Sequence, residues 1–221
     1  MQSSWAHRVL IGATRGRLDE GLLGEGTPQA WDALLSAASA HGMEGWLARR
    51  LAAQRRTPPH VGRSLQASAA RRASDHGRAL EDLYKALETL RDANIESTAL
   101  DGPSLTLRCY GDGTLRPCPA SDLLLPVSAV ERATDSLLTD GFRPMEGTTT
   151  PAVATLEGPS SSVIRLRRHV VEPASARHTL GMASDELWGK AVPVDIDGLS
   201  CRVLPASEEL ARLCLQASVG G

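Results

Sequence analysis

Leu100-Asp101-Gly102-Pro103-Ser104 and, further on, Ser121-Asp122-Leu123-Leu124-Leu125 frame the stretch on which the fold turns. Ile95–Leu100 reads as a strand, and the Asp-Gly-Pro-Ser run breaks it with turn chemistry. Leu105–Tyr110 follows as a short helix or turn. Ser121–Leu125 then resumes as an apolar strand carrying a single carboxylate, Asp122. This order of parts suits phosphate chemistry. Backbone N–H groups and the Ser104 hydroxyl of the turn can hold phosphate oxygens. A carboxylate on the next strand can hold a divalent metal beside them. A third strand can add another carboxylate, and two metals so held stabilise the attacking and leaving oxygens of a phosphoryl displacement.

Upstream, the chain reads as helical. Thr27-Pro28 supplies a cap and a proline for the first helical position. Trp31, Leu34, Leu35 and Ala38 then recur at helical spacing. Met43, Trp46, Leu47 and Leu51 mark a second short helix, and Arg55–Pro59 a break. Val61–Arg91 predicts a long helix, weakened at Gly77 and ended by Asn94. Downstream, Ser128 with Glu131 predicts a capping box. It opens a helix with Ala133, Leu137 and Leu138 on its apolar face, ended by Gly141. Phe142–Met145 reads as a strand and Glu146–Ser162 as a loop. Val163–Arg167 and Val170–Glu172 read as strands. Val192–Ile196 and Leu199–Leu204, joined by Asp197-Gly198, predict a hairpin, and Ser207–Ala217 a closing helix. The expected fold class is α+β: a helical subdomain over residues 1–94, then an α/β core over residues 95–221.

Composition bounds the function. The 221 residues are 42% hydrophobic and 23% charged, and the net charge is −2. These are ordinary values for a globular chain and give no footprint for nucleic acid or for an anionic membrane. No apolar run reaches the length of a membrane span. The first residues lack the apolar stretch of a signal peptide. Aromatic residues are 3%, so the core must rest on Leu, Val and Ala. Cys109, Cys118, Cys201 and Cys214 form no C-x-x-C pair, so free thiols in a reducing cytoplasm are expected. Of 24 basic residues only Lys85 and Lys190 are lysines. The arginine pairs, Arg71-Arg72 and Arg167-Arg168 among them, read as solvated helix or strand edges.

The residues from Leu100 to Leu125 resemble the uncharacterised bacterial nucleotidyltransferase family of the polymerase-β-like superfamily. That family has a Leu-Lys-Gly turn, a Tyr-Gly-Asp (here Tyr110-Gly111-Asp112), a Leu-Arg-Pro (Leu115-Arg116-Pro117), and an Asp-x-Asp pair running into Leu-Leu-Val. Val171-Glu172 falls where it has a third carboxylate followed by His-Trp. Leu187-Trp188, Pro193-Val194 and Arg202-Val203-Leu204-Pro205 echo its hairpin, and Leu210–Leu215 its next helix. The resemblance spans about residues 28–217. It implies a nucleotidyltransferase-like mixed sheet flanked by helices, with Mg²⁺ and a nucleoside triphosphate as cofactors. Asp122 and Glu172 are the implied metal ligands; Gly102, Ser104 and Arg116 are the implied nucleotide or ligand contacts.

The departures are as informative. The turn lysine is Asp101 here, the first Asp of the pair is Ala120, and the His-Trp positions hold Ala174 and Ser175. Losing one bridging carboxylate and reversing charge beside a triphosphate weigh against ordinary transfer. Asp101, Asp122 and Glu172 remain as a rearranged catalytic trio. Two outcomes follow from the resemblance. One is a degenerate metal site repurposed to bind or modify a peptide or small molecule in bacterial specialised-metabolite biosynthesis, beside a partner biosynthetic protein. The other is an active, divergent Mg²⁺-dependent enzyme transferring a nucleotide to a small-molecule, peptide or protein hydroxyl. His169 and His178 read as surface residues, and Asp195 and Asp197 as hairpin residues. Cys118 carries no sign of activation.

Overall fold

The computed structural model describes residues 4–145, 153–170, 184–196 and 198–219. They form two compact units. One holds the chain up to His76 together with Tyr110–Pro117; the other holds Gly77–Cys109 and the residues from Cys118 on.

The first unit is helical: α1 (Trp5–Thr14), α2 (Glu20–Gly24), α3 (Pro28–Ala40), α4 (Glu44–Leu51) and the first half of α5 (Pro59–Asp92). The side chains of Ser4, Asp19 and Thr27 cap the first three by accepting from the amides of His7, Leu22 and Ala30, which satisfies donors the helix leaves open. The general helical reading does not single out α1 or α2. Trp31, Leu34, Ala38, Leu47 and Leu51 are buried with Val9, Leu10, Ala13, Val61 and Leu65, so the expected apolar faces meet in one core. Trp5 packs edge-on against Trp31 at 5.0 Å between centroids.

The second unit is built on a mixed sheet. The second half of α5 runs on through Gly77 without a break. It ends where Asn94 turns left-handed, at φ 54°, with the Ile95 amide donating to the Leu90 carbonyl at 2.8 Å, a common helix stop. Then follow β1 (Thr98–Ala99), α6 (Pro103–Tyr110), β2 (Ser121–Leu124), α7 (Val130–Thr139), β3 (Arg143–Pro144), β4 (Val153–Glu157), β5 (Val163–Arg167), α8 (Ser184–Lys190), β6 (Val192–Ile196), β7 (Leu199–Val203) and α9 (Ala206–Val219). The sheet order is β3-β4-β5-β2-β1-β7-β6. β2 runs antiparallel to β1 and parallel to β5, and β1 runs parallel to β7.

The pleat sorts the residues. Leu123 and Leu125 of the β2 segment, Ile164 and Leu166 of β5, and Val203 of β7 join Leu83, Leu90 and Leu137 in the main core. Successive side chains point to opposite faces, so Asp122, Arg165 and Arg167 lie on the other face. Part of that face is covered by Leu100, Leu124, Val170, Leu187 and Leu204.

Four expectations change. The capping box does not form: Val127–Ala129 is a 3-10 turn, and α7 starts at Val130 with no side-chain cap bond. A strand over residues 95–100 shrinks to Thr98–Ala99, because the Ile95 amide already closes α5. The segment read as a loop over 146–162 contains β4, paired along its length with β5. Val170 lies outside any strand; Val171 and Glu172 lie outside the described residues. The long helix, the hairpin, β5 and the closing helix stand where the sequence puts them.

Candidate functional site

The turn after β1 is closed on itself. Gly102 has φ +87°, a conformation that glycine adopts freely and other residues rarely. A Cβ there would lie 2.8 Å from the Ala120 carbonyl oxygen and 2.9 Å from Ser121 Cα. Two demands, the left-handed backbone and the close approach to the start of β2, therefore fix glycine. The Gly102 amide donates to Asp101 Oδ1 at 2.7 Å. At the turn where a phosphate oxygen would be cradled, the chain supplies its own carboxylate.

Buried Arg212 of α9 secures the turn from behind, donating to the Leu100 carbonyl at 3.0 Å and to Glu209 Oε1 at 2.5 Å. Its guanidinium lies 3.8 Å from Asp101 Oδ2. Ser104 is buried, with its hydroxyl 3.4 Å from the Asp101 carbonyl. The hydroxyl of Thr106 donates to the Gly102 carbonyl. α6 thus opens with its polar groups turned onto the turn itself.

Asp122 is on β2, 1% exposed. The β2–β5 register sets it directly opposite Arg165. Arg165 Nε donates to Asp122 Oδ1 and Arg167 Nε to Oδ2, each at 2.6 Å. A buried carboxylate must be neutralised by such partners, and here each oxygen has its own guanidinium. Ala120, one step before β2, is 6% exposed and brings no ligand atom.

The implied Mg²⁺ does not fit these residues. Mg²⁺ requires oxygen ligands in tight octahedral geometry. Asp122 gives both oxygens to arginine, Asp101 Oδ1 takes the Gly102 amide, and Ala120 has none to give. No group of three or more His, Cys, Asp or Glu able to hold a metal occurs among the described residues. Glu172 lies outside those residues. Gly102, Ser104, Asp101 and Asp122 belong to the second unit, and half-buried Arg116 to the first.

The residues that the sequence reading passes over are Arg165 and Arg167. The arginine pair 167–168 reads as a solvated edge, yet the Arg167 side chain is 14% exposed and bound to Asp122. Arg72, also read as solvated, donates to Glu44 and to the Gly42 carbonyl. The missed signal is parity: Val163-Ile164-Arg165-Leu166-Arg167 alternates, so both arginines share one face.

Cys118 shares a hydrogen bond with the Thr106 hydroxyl at 3.0 Å. Two open grooves, of about 800 Å³ and 460 Å³, lie elsewhere in the second unit, along α5 with α7 and beside Cys201 and Arg202. No helix of the described residues is long and apolar enough to cross a membrane.

The second unit thus brings together a mixed sheet, a glycine turn packed on the start of its central strand, and an acidic residue on that strand. The model of a family described as uncharacterised nucleotidyltransferase matches residues 27–220, and the chain belongs to that family. No curated protein matches it. Among solved structures, it is similar to the lincosamide antibiotic adenylyltransferase LnuA in its lincomycin-bound form, at 10% identity and a TM-score of 0.44. That match covers 59% of this chain and 83% of the other.

Proposed function

We propose that this chain keeps the nucleotidyltransferase scaffold without metal-dependent transfer, and that its sheet face binds a small-molecule or peptide partner. The observation that carries this reading is Asp122, each of whose oxygens is held by an arginine at 2.6 Å. A two-metal site needs free carboxylate oxygens facing one point. A cation brought to Asp122 would meet two guanidiniums of like charge. The proposed ligand is a small molecule or peptide of bacterial specialised-metabolite biosynthesis, with a biosynthetic protein as the companion.

The test is turnover. The protein is incubated with Mg²⁺ or Mn²⁺ and each labelled nucleoside triphosphate, with small-molecule and peptide hydroxyl acceptors. The expected result is neither pyrophosphate release nor labelled product. Turnover by the wild type that Asp122→Asn abolishes would overturn the proposal and make the chain an active, divergent nucleotidyltransferase.

A further inference from the structure

The two arginines that hold Asp122 use only part of their donor capacity on it. A guanidinium carries five N–H donors in a planar fork. Each arginine presents Nε to the carboxylate, and the terminal nitrogens of both make no hydrogen bond to any described residue. The side chains are 34% exposed for Arg165 and 14% for Arg167. Their head groups are thus anchored at one edge and, among the described residues, meet no acceptor at the other.

Among the described residues the charges sum to +1, since two guanidiniums face one carboxylate. Residues two apart on a strand have Cα atoms about 7 Å apart and side chains on one face. Both guanidiniums therefore meet at Asp122 from neighbouring positions. A flexible surface arginine must lose rotamer freedom when it binds an anion; these two are already fixed by Asp122. Paired forks with fixed direction suit the oxygens of a phosphate or diphosphate, which arginine recognises bidentately.

We propose that Arg165 and Arg167 form a metal-independent site for a phosphate or diphosphate group of a small-molecule ligand, with Asp122 as the positioning residue between them. The proposal rests on the reading above, that Asp122 holds arginine rather than metal. It adds the chemistry of the ligand: the place where related folds hold cations takes an anion directly.

Titration calorimetry of the full chain tests it, with inorganic pyrophosphate, inorganic phosphate and succinate as probes, in EDTA and again in Mg²⁺. Pyrophosphate is expected to bind in EDTA, and succinate at least about tenfold more weakly. Arg165→Gln should weaken pyrophosphate binding about tenfold or more, the value of one charge-assisted contact. Asp122→Asn loosens both guanidiniums and should weaken pyrophosphate binding to the same degree in EDTA and in Mg²⁺. A metal ligand at this position predicts a loss confined to the Mg²⁺ medium. Should R165Q fail to fold, Arg165→Lys keeps a cation for Asp122 and removes the fork; weaker binding is expected there too.

Equal binding by wild type and the Arg165 variants overturns the proposal, as does equal binding of succinate. No binding by the folded wild type in either medium overturns this proposal and leaves the metal-loss reading standing. Binding that requires Mg²⁺ and is abolished in D122N overturns both.

Discussion

Asp122 and Cys201 show how the same sheet treats two ionisable groups in opposite ways. Asp122 is buried against two guanidiniums. At Cys201 burial pushes the thiol up to about 11 from an ordinary 9.0 and outweighs the opposing charge of Arg108. The consequence for stability has a definite sign. In the unfolded chain the thiol ionises from about pH 9, whereas in the fold it stays neutral until about 11. The unfolded state therefore binds fewer protons across that interval, and stability falls as pH rises through it. Cys201→Ala is expected to flatten the loss between pH 9 and 11, measured by urea midpoints of variant and wild type. In alkylation at neutral pH, Cys109 and Cys214, both exposed, should label in the folded protein. Buried Cys201 should label only on unfolding.

At the scale of elements, the β4–β5 hairpin is held by a side chain from outside the sheet. Asp82 on α5, 1% exposed, accepts from the Ser160 amide with Oδ1 and the Ser162 amide with Oδ2, each at 2.9 Å. Ser161 between them is left-handed, at φ 63°. Asp82→Ala leaves both amides without their acceptor and should cost about 2 kcal/mol. Asp82→Asn, which keeps one acceptor, should cost less. Urea denaturation gives the cost, and amide exchange at residues 160 and 162 locates it. None of this hairpin's first strand is legible in the sequence. Val153–Glu157 sits in a run of Gly, Pro, Ser and Thr that reads as loop, and its pairing partner decides its state. β5 was legible because Val163–Arg167 alternates within itself. Ser128 misleads for the converse reason: the cap pattern is present, but a 3-10 turn takes the residues before α7. The site divides the same way. Gly102 and Asp122 stand out locally, whereas the arginines that decide what Asp122 does reach it only through the β2–β5 register.

For the whole molecule, family membership over residues 27–220 fixes the kind of scaffold, while its chemistry is set by a few charges. The net charge is −2, Arg72 is matched by Glu44, and the surplus at Asp122 is a single positive charge among the described residues. Nucleic-acid binding depends on neutralising phosphates with unmatched basic residues. Fluorescence anisotropy with single- and double-stranded DNA near physiological salt should therefore show no association. A strongly salt-dependent affinity would contradict it.

The clamp on Asp122 also bears on how such a chain can evolve. Putting a carboxylate back at position 120 would not rebuild a cation site, because both oxygens of Asp122 are already held by Arg165 and Arg167. Removing one arginine first would leave a buried carboxylate with half its partners, a destabilising step. Each single step is thus neutral at best or destabilising, and only several changes made together would pass. On the proposal that Asp122 serves arginine and not metal, the arrangement works as a ratchet: once β5 carries its two arginines, descendants of this chain can diversify what they bind far more easily than they can return to metal chemistry.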